Sequence, residues 1–256
     1  MTEKCVRLEV NDKVALVTLD RPPVNALSRD MRYQLVATFD EISARDDIMC
    51  AVLTGNGSVF CAGADLKDRP RDDVPGDFLE HNRITRETGN AIRECAKPVI
   101  AAVNGAALGA GMGLAAACDI LYASDNATFG MPEINVGLAG GASMLRTLLG
   151  RSTTRRMFFS GDRLSAHDLL RRNVLEDVLP PEELLPVTMA LAHRIASKAP
   201  LALVYAKRAT NMVDVMPQRD AYRFEQEFTM TLSKTEDARE ARMAFLEKRA
   251  PHFKGR

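Results

Sequence analysis

A chain of 256 residues and 28.1 kDa, 46% hydrophobic and 27% charged, has the size of one large α/β domain, or of one domain with a helical appendage. Its 34 Lys and Arg balance 34 Asp and Glu, so no whole-chain charge points to nucleic acid or an anionic membrane as partner. The longest apolar run, Val99–Ala117, is cut by Asn104 and four glycines, too broken for a span of about 20 apolar residues.

Glu3 lies early in the N-terminal segment and Asp12 precedes any long apolar core. This is not a secretory signal, and the expected location is cytoplasmic. The five cysteines include no C-x-x-C pair and the four histidines no H-x-x-x-H pair. A disulfide framework and a structural metal are not expected.

In chain order, Val6–Glu9 and Val14–Leu19 are β-branched runs around Asn11-Asp12 and predict a hairpin. Asp20-Arg21-Pro22-Pro23 ends the second strand. Leu27-Ser28 opens a helix to about Ile42, with Met31, Leu35, Val36 and Phe39 at helical spacing. Cys50–Thr54 predicts a buried strand and Gly55-Asn56-Gly57-Ser58 a turn. Phe60–Leu66 leads into Lys67–Pro75, a charged stretch with the composition of a mobile loop, and a helix follows over Phe78–Glu94.

Val99–Val103 is the next strand, Gly109–Ala117 a short helix of small residues, and Ile120–Ala123 a strand. Alternation of strands and helices predicts an α/β class with partly parallel pairing. The second half reads as helical over Gly141–Leu149, Arg151–Phe159, Ala166–Arg171, Glu182–Lys198, Leu201–Val213 and Arg219–Phe245. Residues 1–200 are expected to form the core and 201–256 a helical appendage.

Two glycine-rich turns, Cys61–Asp65 and Ala107–Gly111, each fall between a strand and a helix. Each can present unpaired backbone N–H groups, and small side chains let a ligand oxygen approach them. Two such groups converging on one point form an oxyanion hole. Asp65 is placed to cap the helix expected after it. Glu133, after Met131-Pro132 and before Ile134, is the candidate acid/base, because an apolar setting would raise its pKa toward a useful range. On composition alone the plainer reading is the stronger, since a lone Glu after Pro is usually a solvated first-turn helix residue.

Gly111-Met112-Gly113-Leu114-Ala115-Ala116 matches the dinucleotide pattern G-x-G-x-x-A. Against an NAD enzyme stands the five-residue gap, Gly105–Gly109, between the strand and that pattern.

These residues carry a resemblance to the crotonase superfamily, the enoyl-CoA hydratase/isomerase family. The matching stretches are Arg21–Leu27, Phe60–Leu66, Lys97–Gly105, Cys118–Ile120, Phe129–Ile134, Lys234–Ala238 and Ala244–Arg249, in order over nearly the whole chain. The resemblance implies a ββα spiral core with a C-terminal helical trimerisation region, a homotrimer or hexamer, and no permanently bound cofactor. Coenzyme A would enter as part of an acyl-CoA thioester substrate. The thioester oxygen would sit between the N–H groups of Ala64 and Ala110, and the second hydratase glutamate falls on Glu133. Ala62, Gly63, Asp65, Leu66, Gly109, Gly113, Leu138 and Gly141 would line the substrate, Gly141 beside the attacking water.

Two positions depart from the family. The first hydratase glutamate falls on Gly113, which has no side chain to carry a proton. The basic residue that follows Arg-Pro and contacts the CoA phosphates is replaced by Pro23, with Arg21, Lys248 or Lys254 as substitutes. Double-bond isomerisation and hydration with a single glutamate remain open. So does C–C cleavage of the kind performed by hydratase-lyases or ring-opening hydrolases, to which Leu114–Thr128 and Tyr222–Gln226 bear some likeness. A different class, acyl-CoA binding without catalysis, is the alternative.

Other residues have plainer readings. Cys61 is a small buried hydrophobe, Ser143 lacks a nucleophile elbow, and Asp119 is a structural hydrogen-bonder. Glu80 and His81 are candidates for a replacement acid, although a solvated helix face is the simpler expectation. Leu201, Val204, Tyr205, Phe224, Phe228 and Leu232 form apolar stripes expected at a subunit interface.

Overall fold

The computed structural model describes residues 4–146 and 148–256. The first unit is the expected hairpin, β1 (Val6–Asn11) against β2 (Val14–Leu19). Asp12 and Lys13 make its two-residue turn with positive φ of 44° and 65°, the conformation that matches strand twist. β3 (Cys50–Gly55), β4 (Val99–Val103), β6 (Ile120–Ser124) and β9 (Asp177–Leu179) extend the sheet in parallel, in the order β1-β2-β3-β4-β6-β9, and β5 (Ala107–Leu108) lies outside it. β4 is buried along its whole length, as central parallel strands are.

A second layer consists of short pieces. β5, β7 (Thr128–Gly130) and β8 (Arg163–Ser165) form a three-stranded sheet. Isolated parallel bridges Leu27↔Ala64 and Cys61↔Ala107 continue it. Each long strand is thus followed, a few residues on, by a short second-layer segment: β2 by Leu27, β3 by Cys61–Ala64, β4 by β5 and β6 by β7. This repetition is the ββα spiral expected from the resemblance. Strands of two or three residues are too short for a period-2 signal, so β5, β7, β8 and β9 were invisible to pattern reading.

Helix α1 (Arg29–Ala44) starts where Ser28 Oγ accepts the Met31 N–H at 3.2 Å, and it buries Met31, Leu35, Phe39 and Ile42 between the layers. α2 (Asp77–Arg93) packs against α1. α3 (Ala110–Ala117) is buried almost throughout. After α4 (Ala142–Leu145), α5 (Arg151–Ser160) and α6 (Ala166–Leu170), α7 (Pro181–Ala196) covers the outer face of the large sheet with Leu184, Ala192 and Ala196 on Val52, Ile100 and Ala102.

The chain ends in α8 (Pro200–Val213), α9 (Gln218–Leu232) and α10 (Glu236–Glu247). Lys207 of α8, 5% exposed, holds both oxygens of Asp119 at 2.6 Å, and Asp119 also accepts the Val99 N–H. This confirms Asp119 as a structural hydrogen-bonder. Among the described residues, no helix is long and apolar enough to cross a membrane.

Three expectations are corrected. The helix over Gly141–Leu149 is only the single turn α4, since Gly141 enters it with φ of 87°. The long helix Arg219–Phe245 is two helices, because Thr235 Oγ1 accepts the Ala238 N–H and starts a new one. The α8 and α9 stripes meet each other, with Tyr205 and Phe224 edge-on to Phe228 at ring-centre distances of 5.0 and 4.6 Å.

Candidate active site

The two glycine-rich turns come together. Leu27 donates to Gly63 O at 2.8 Å and accepts from the Asp65 N–H at 3.0 Å, so the intervening Ala64 N–H faces away from Leu27. On the other side the segment is tied to the second turn by Cys61 N–H to Ala106 O and Leu108 N–H to Cys61 O, both 3.0 Å. Gly63 has φ of 102°, and a Cβ there would lie 2.8 Å from Leu108 O and 3.6 Å from Ala110 N. Only glycine permits that conformation and that approach.

Gly109 donates to Gly130 O at 2.8 Å and turns the chain with φ of 54° and ψ of −120° into α3. Ala110 is the first residue of that helix, and the first N–H groups of a helix have no acceptor within it. Ala64 and Ala110 thus stand on adjoining turns.

Glu133 begins at the start of a short 3-10 helix, Pro132–Val136, and its C=O accepts the Leu138 N–H at 2.9 Å. Its side chain reaches back to the second turn. A Cβ on Gly109 would lie 2.5 Å from Glu133 Oε1. The carboxylate therefore stands over Gly109, next to the Ala110 N–H. Oε2 is enclosed and has no hydrogen-bond partner among the described residues. Burial raises the Glu133 pKa, offset in part by the residue's own backbone. A half-buried carboxyl with a free oxygen can take up and release a proton. The reading of Glu133 as a merely solvated residue is therefore set aside.

The space beside Gly113 is apolar. A Cβ there would meet Met144 Sδ at 2.6 Å, and a Cβ on Gly141 would meet Met131 Cε at 2.7 Å and Met144 Sδ at 3.9 Å. Met144 fills the ground between the two glycines. Its sequence context, in an apparent helix, held no signal of this. Leu66 and Leu138 are exposed and Ala62 is half-buried.

Asp65 caps no helix, because α2 starts only at Asp77. Instead the Lys67 N–H and Arg21, at 2.7 Å, hold its carboxyl below the usual carboxylate range. The Arg21 guanidinium also donates to the Ala26 carbonyl. Lys248 and Lys254 are exposed.

Burial pushes the Cys61 thiol up to about 12, which keeps it unreactive. The dinucleotide reading fails on space. A Cβ on Gly111 would lie 2.2 Å from Cys61 O, so this glycine faces the chain's own backbone, not a pyrophosphate. Glu80 is exposed and engaged by Tyr33 and Arg29. His81 is not on a solvated face: its Nδ1 is enclosed and unpartnered among the described residues. A cavity of about 580 Å³ under α8 is lined by Arg93, Asp119, Arg146 and Lys207, and Glu133 does not line it.

A family model described as enoyl-CoA hydratase/isomerase matches residues 9–256. The chain is 37% identical over 248 residues to 2,3-dehydroadipyl-CoA hydratase of Escherichia coli K12, covering 95% of this chain and 96% of that protein. It is 35% identical over 235 residues to the (7aS)-7a-methyl-1,5-dioxo-2,3,5,6,7,7a-hexahydro-1H-indene-carboxyl-CoA hydrolase of Mycobacterium tuberculosis, covering 92% and 95%. The crystal structure of an enoyl-CoA hydratase from Bacillus anthracis superimposes with a TM-score of 0.92 at 30% identity, over 99% of this chain and 100% of the other.

Proposed function

Because the chain belongs to the enoyl-CoA hydratase/isomerase family, enzymes acting on acyl-CoA thioesters, we propose that it forms a thioester enolate between two backbone N–H groups, with Glu133 as the proton carrier. The thioester oxygen sits between Ala64 N–H and Ala110 N–H. As negative charge builds on that oxygen, both dipoles already point at it, and no reorganisation is needed. In double-bond isomerisation Glu133 removes the proton at C2 and returns it at C4; in hydration it takes a proton from the water that attacks C3 and delivers a proton to C2 of the resulting enolate. The observation that carries this reading is the enclosed, unpartnered Glu133 carboxylate over Gly109. C–C cleavage of a cyclic CoA thioester is the second reading, supported by the 35% identity to the hexahydro-1H-indene-carboxyl-CoA hydrolase.

Met144 beside Gly113 leaves no second carboxylate to position water, so proton transfer at C2 outpaces hydration. In D2O, the protein should exchange the C2 protons of butyryl-CoA, followed by mass, while hydrating crotonyl-CoA slowly. Absence of exchange across a panel of acyl-CoA thioesters would sink the enolate reading. Gly113→Glu combined with Met144→Ala should raise crotonyl-CoA hydration about 10-fold or more, given that a positioned acid/base group contributes about 10²–10⁴-fold.

The chain works as a homotrimer or a hexamer, with the helices from residue 201 onward as the assembling region. Support comes from Tyr222, Met230, Met243, Phe245 and Leu246, which α9 and α10 leave exposed; such an apolar surface marks an interface. Light scattering at micromolar concentration should return at least three times the chain mass, and a monomer would overturn the assignment.

A further inference from the structure

We propose that Arg21 and Asp65 form a positioning pair that keeps the Ala64 N–H aimed at the thioester oxygen. The proposal rests on the oxyanion reading above and adds two residues that act through the backbone between them.

The direction of the Ala64 N–H is fixed by one peptide plane. A trans peptide points its C=O and its N–H opposite ways. Gly63 O accepts the Leu27 N–H at 2.8 Å, so the Ala64 N–H of that same peptide points away from Leu27. The next peptide is held by the Asp65 N–H, which donates to Leu27 O at 3.0 Å. The register of Leu27 against Ala64 therefore aims the donor, and that bridge stands outside any longer strand. Among the described residues, one further backbone bond joins the two segments, from the Ala62 N–H to Val24 O at 3.0 Å.

Arg21 ties the same two segments by its side chain. One guanidinium nitrogen donates to Ala26 O at 2.9 Å and another to Asp65 Oδ2 at 2.7 Å. The first contact falls on the residue before Leu27, the second on the residue after Ala64. A planar fork makes both from one rigid group. The two side chains are 28% and 13% exposed, so salt screens this pair less than one on the open surface.

Both ends of the clamp are anchored. The Arg21 N–H donates to Asn25 Oδ1 at 2.9 Å, and Asn25, 1% exposed, donates to Asn56 O and Val59 O at 2.9 and 2.7 Å. On the other side Asp65 Oδ1 accepts the Lys67 N–H at 2.9 Å. Each oxygen of the Asp65 carboxylate thus has its own partner. An ion pair placed anywhere along the segments would hold them together, but this one brackets the bridge that aims the donor. Without it Leu27 and Ala64 tilt against each other, and the N–H must reorganise as charge builds on the oxygen. A displacement of about 1 Å in a reacting geometry can cost about 10²-fold in rate.

The test follows the thioester carbonyl itself. Carbonyl-labelled butyryl-CoA is bound to the whole protein, and its C=O stretch is recorded by difference infrared spectroscopy alongside C2 exchange in D2O. Hydrogen bonds to the oxygen should lower the stretching frequency of the bound thioester below that of the free one. Asp65→Asn keeps the size of the side chain and an acceptor for the Lys67 N–H, but turns an amide donor toward the guanidinium. In this variant the frequency should move back toward the free value, and kcat for exchange should fall about 10–100-fold while KM changes much less. Arg21→Lys keeps the charge and loses the two-pronged reach; it should behave alike, and it carries the comparison if Asp65→Asn fails to fold. The double variant should lose no more than the worse single one, because the two residues act as a unit. A folded single variant that keeps both the carbonyl frequency and kcat, even at a lowered Tm, marks a purely structural pair and overturns the proposal. If the unaltered protein binds the thioester and leaves its carbonyl at the free frequency, or binds none, the oxyanion reading itself falls, and this inference with it.

Discussion

Glu133→Gln should lower turnover of an acyl-CoA substrate by about 10²–10⁴-fold, the usual contribution of a general acid/base, while thioester binding persists. Glutamine keeps the shape that fits over Gly109 but can neither take nor return a proton. The pH profile adds a second check. Burial holds the Glu133 pKa above its ordinary value, and the proton-removing form is the carboxylate. The rate should therefore fall on the acid side, with its midpoint above that of an ordinary glutamate. The C2 exchange of the variant should vanish in parallel. Unchanged turnover would place the base elsewhere, with His81 next to test.

Ala110→Pro should cost about 10²–10³-fold in kcat, the usual loss on removing one oxyanion donor. Proline deletes the N–H assigned to the thioester oxygen and little else. Ala110 is the first residue of α3, a position where proline is favoured because its missing N–H has no helical acceptor. The preceding Gly109, at φ of 54° and ψ of −120°, carries no Cβ to clash with the ring. Ala110→Gly retains the N–H and serves as control. A folded proline variant with full activity would remove Ala110 from the oxyanion site.

Much of the architecture was legible because local physics sufficed. The β1–β2 hairpin follows from two β-branched runs and a turn, α1 from an apolar stripe behind a serine cap, and β3 and β4 from short, mainly apolar runs. The candidate site was legible in part. Glycines at 63 and 109 announced backbone that something must approach. Asp65 misled, since a side chain that caps in one context makes a turn and an ion pair in another, and only the start of α2 at Asp77 separates the two.

The sequence by itself determined the strand-and-helix order, the two glycine turns and the residue types available for proton transfer, because these depend on neighbours a few positions apart. The tertiary structure alone decided which of them meet. Glu133 reaches Gly109 across 24 positions of chain only because β5 pairs with β7, bringing Leu108 beside Gly130 and giving the Gly109 N–H its acceptor. Met144 closes over Gly113. Such contacts are set by non-local strand pairing and helix packing, and no period or spacing along the chain encodes them.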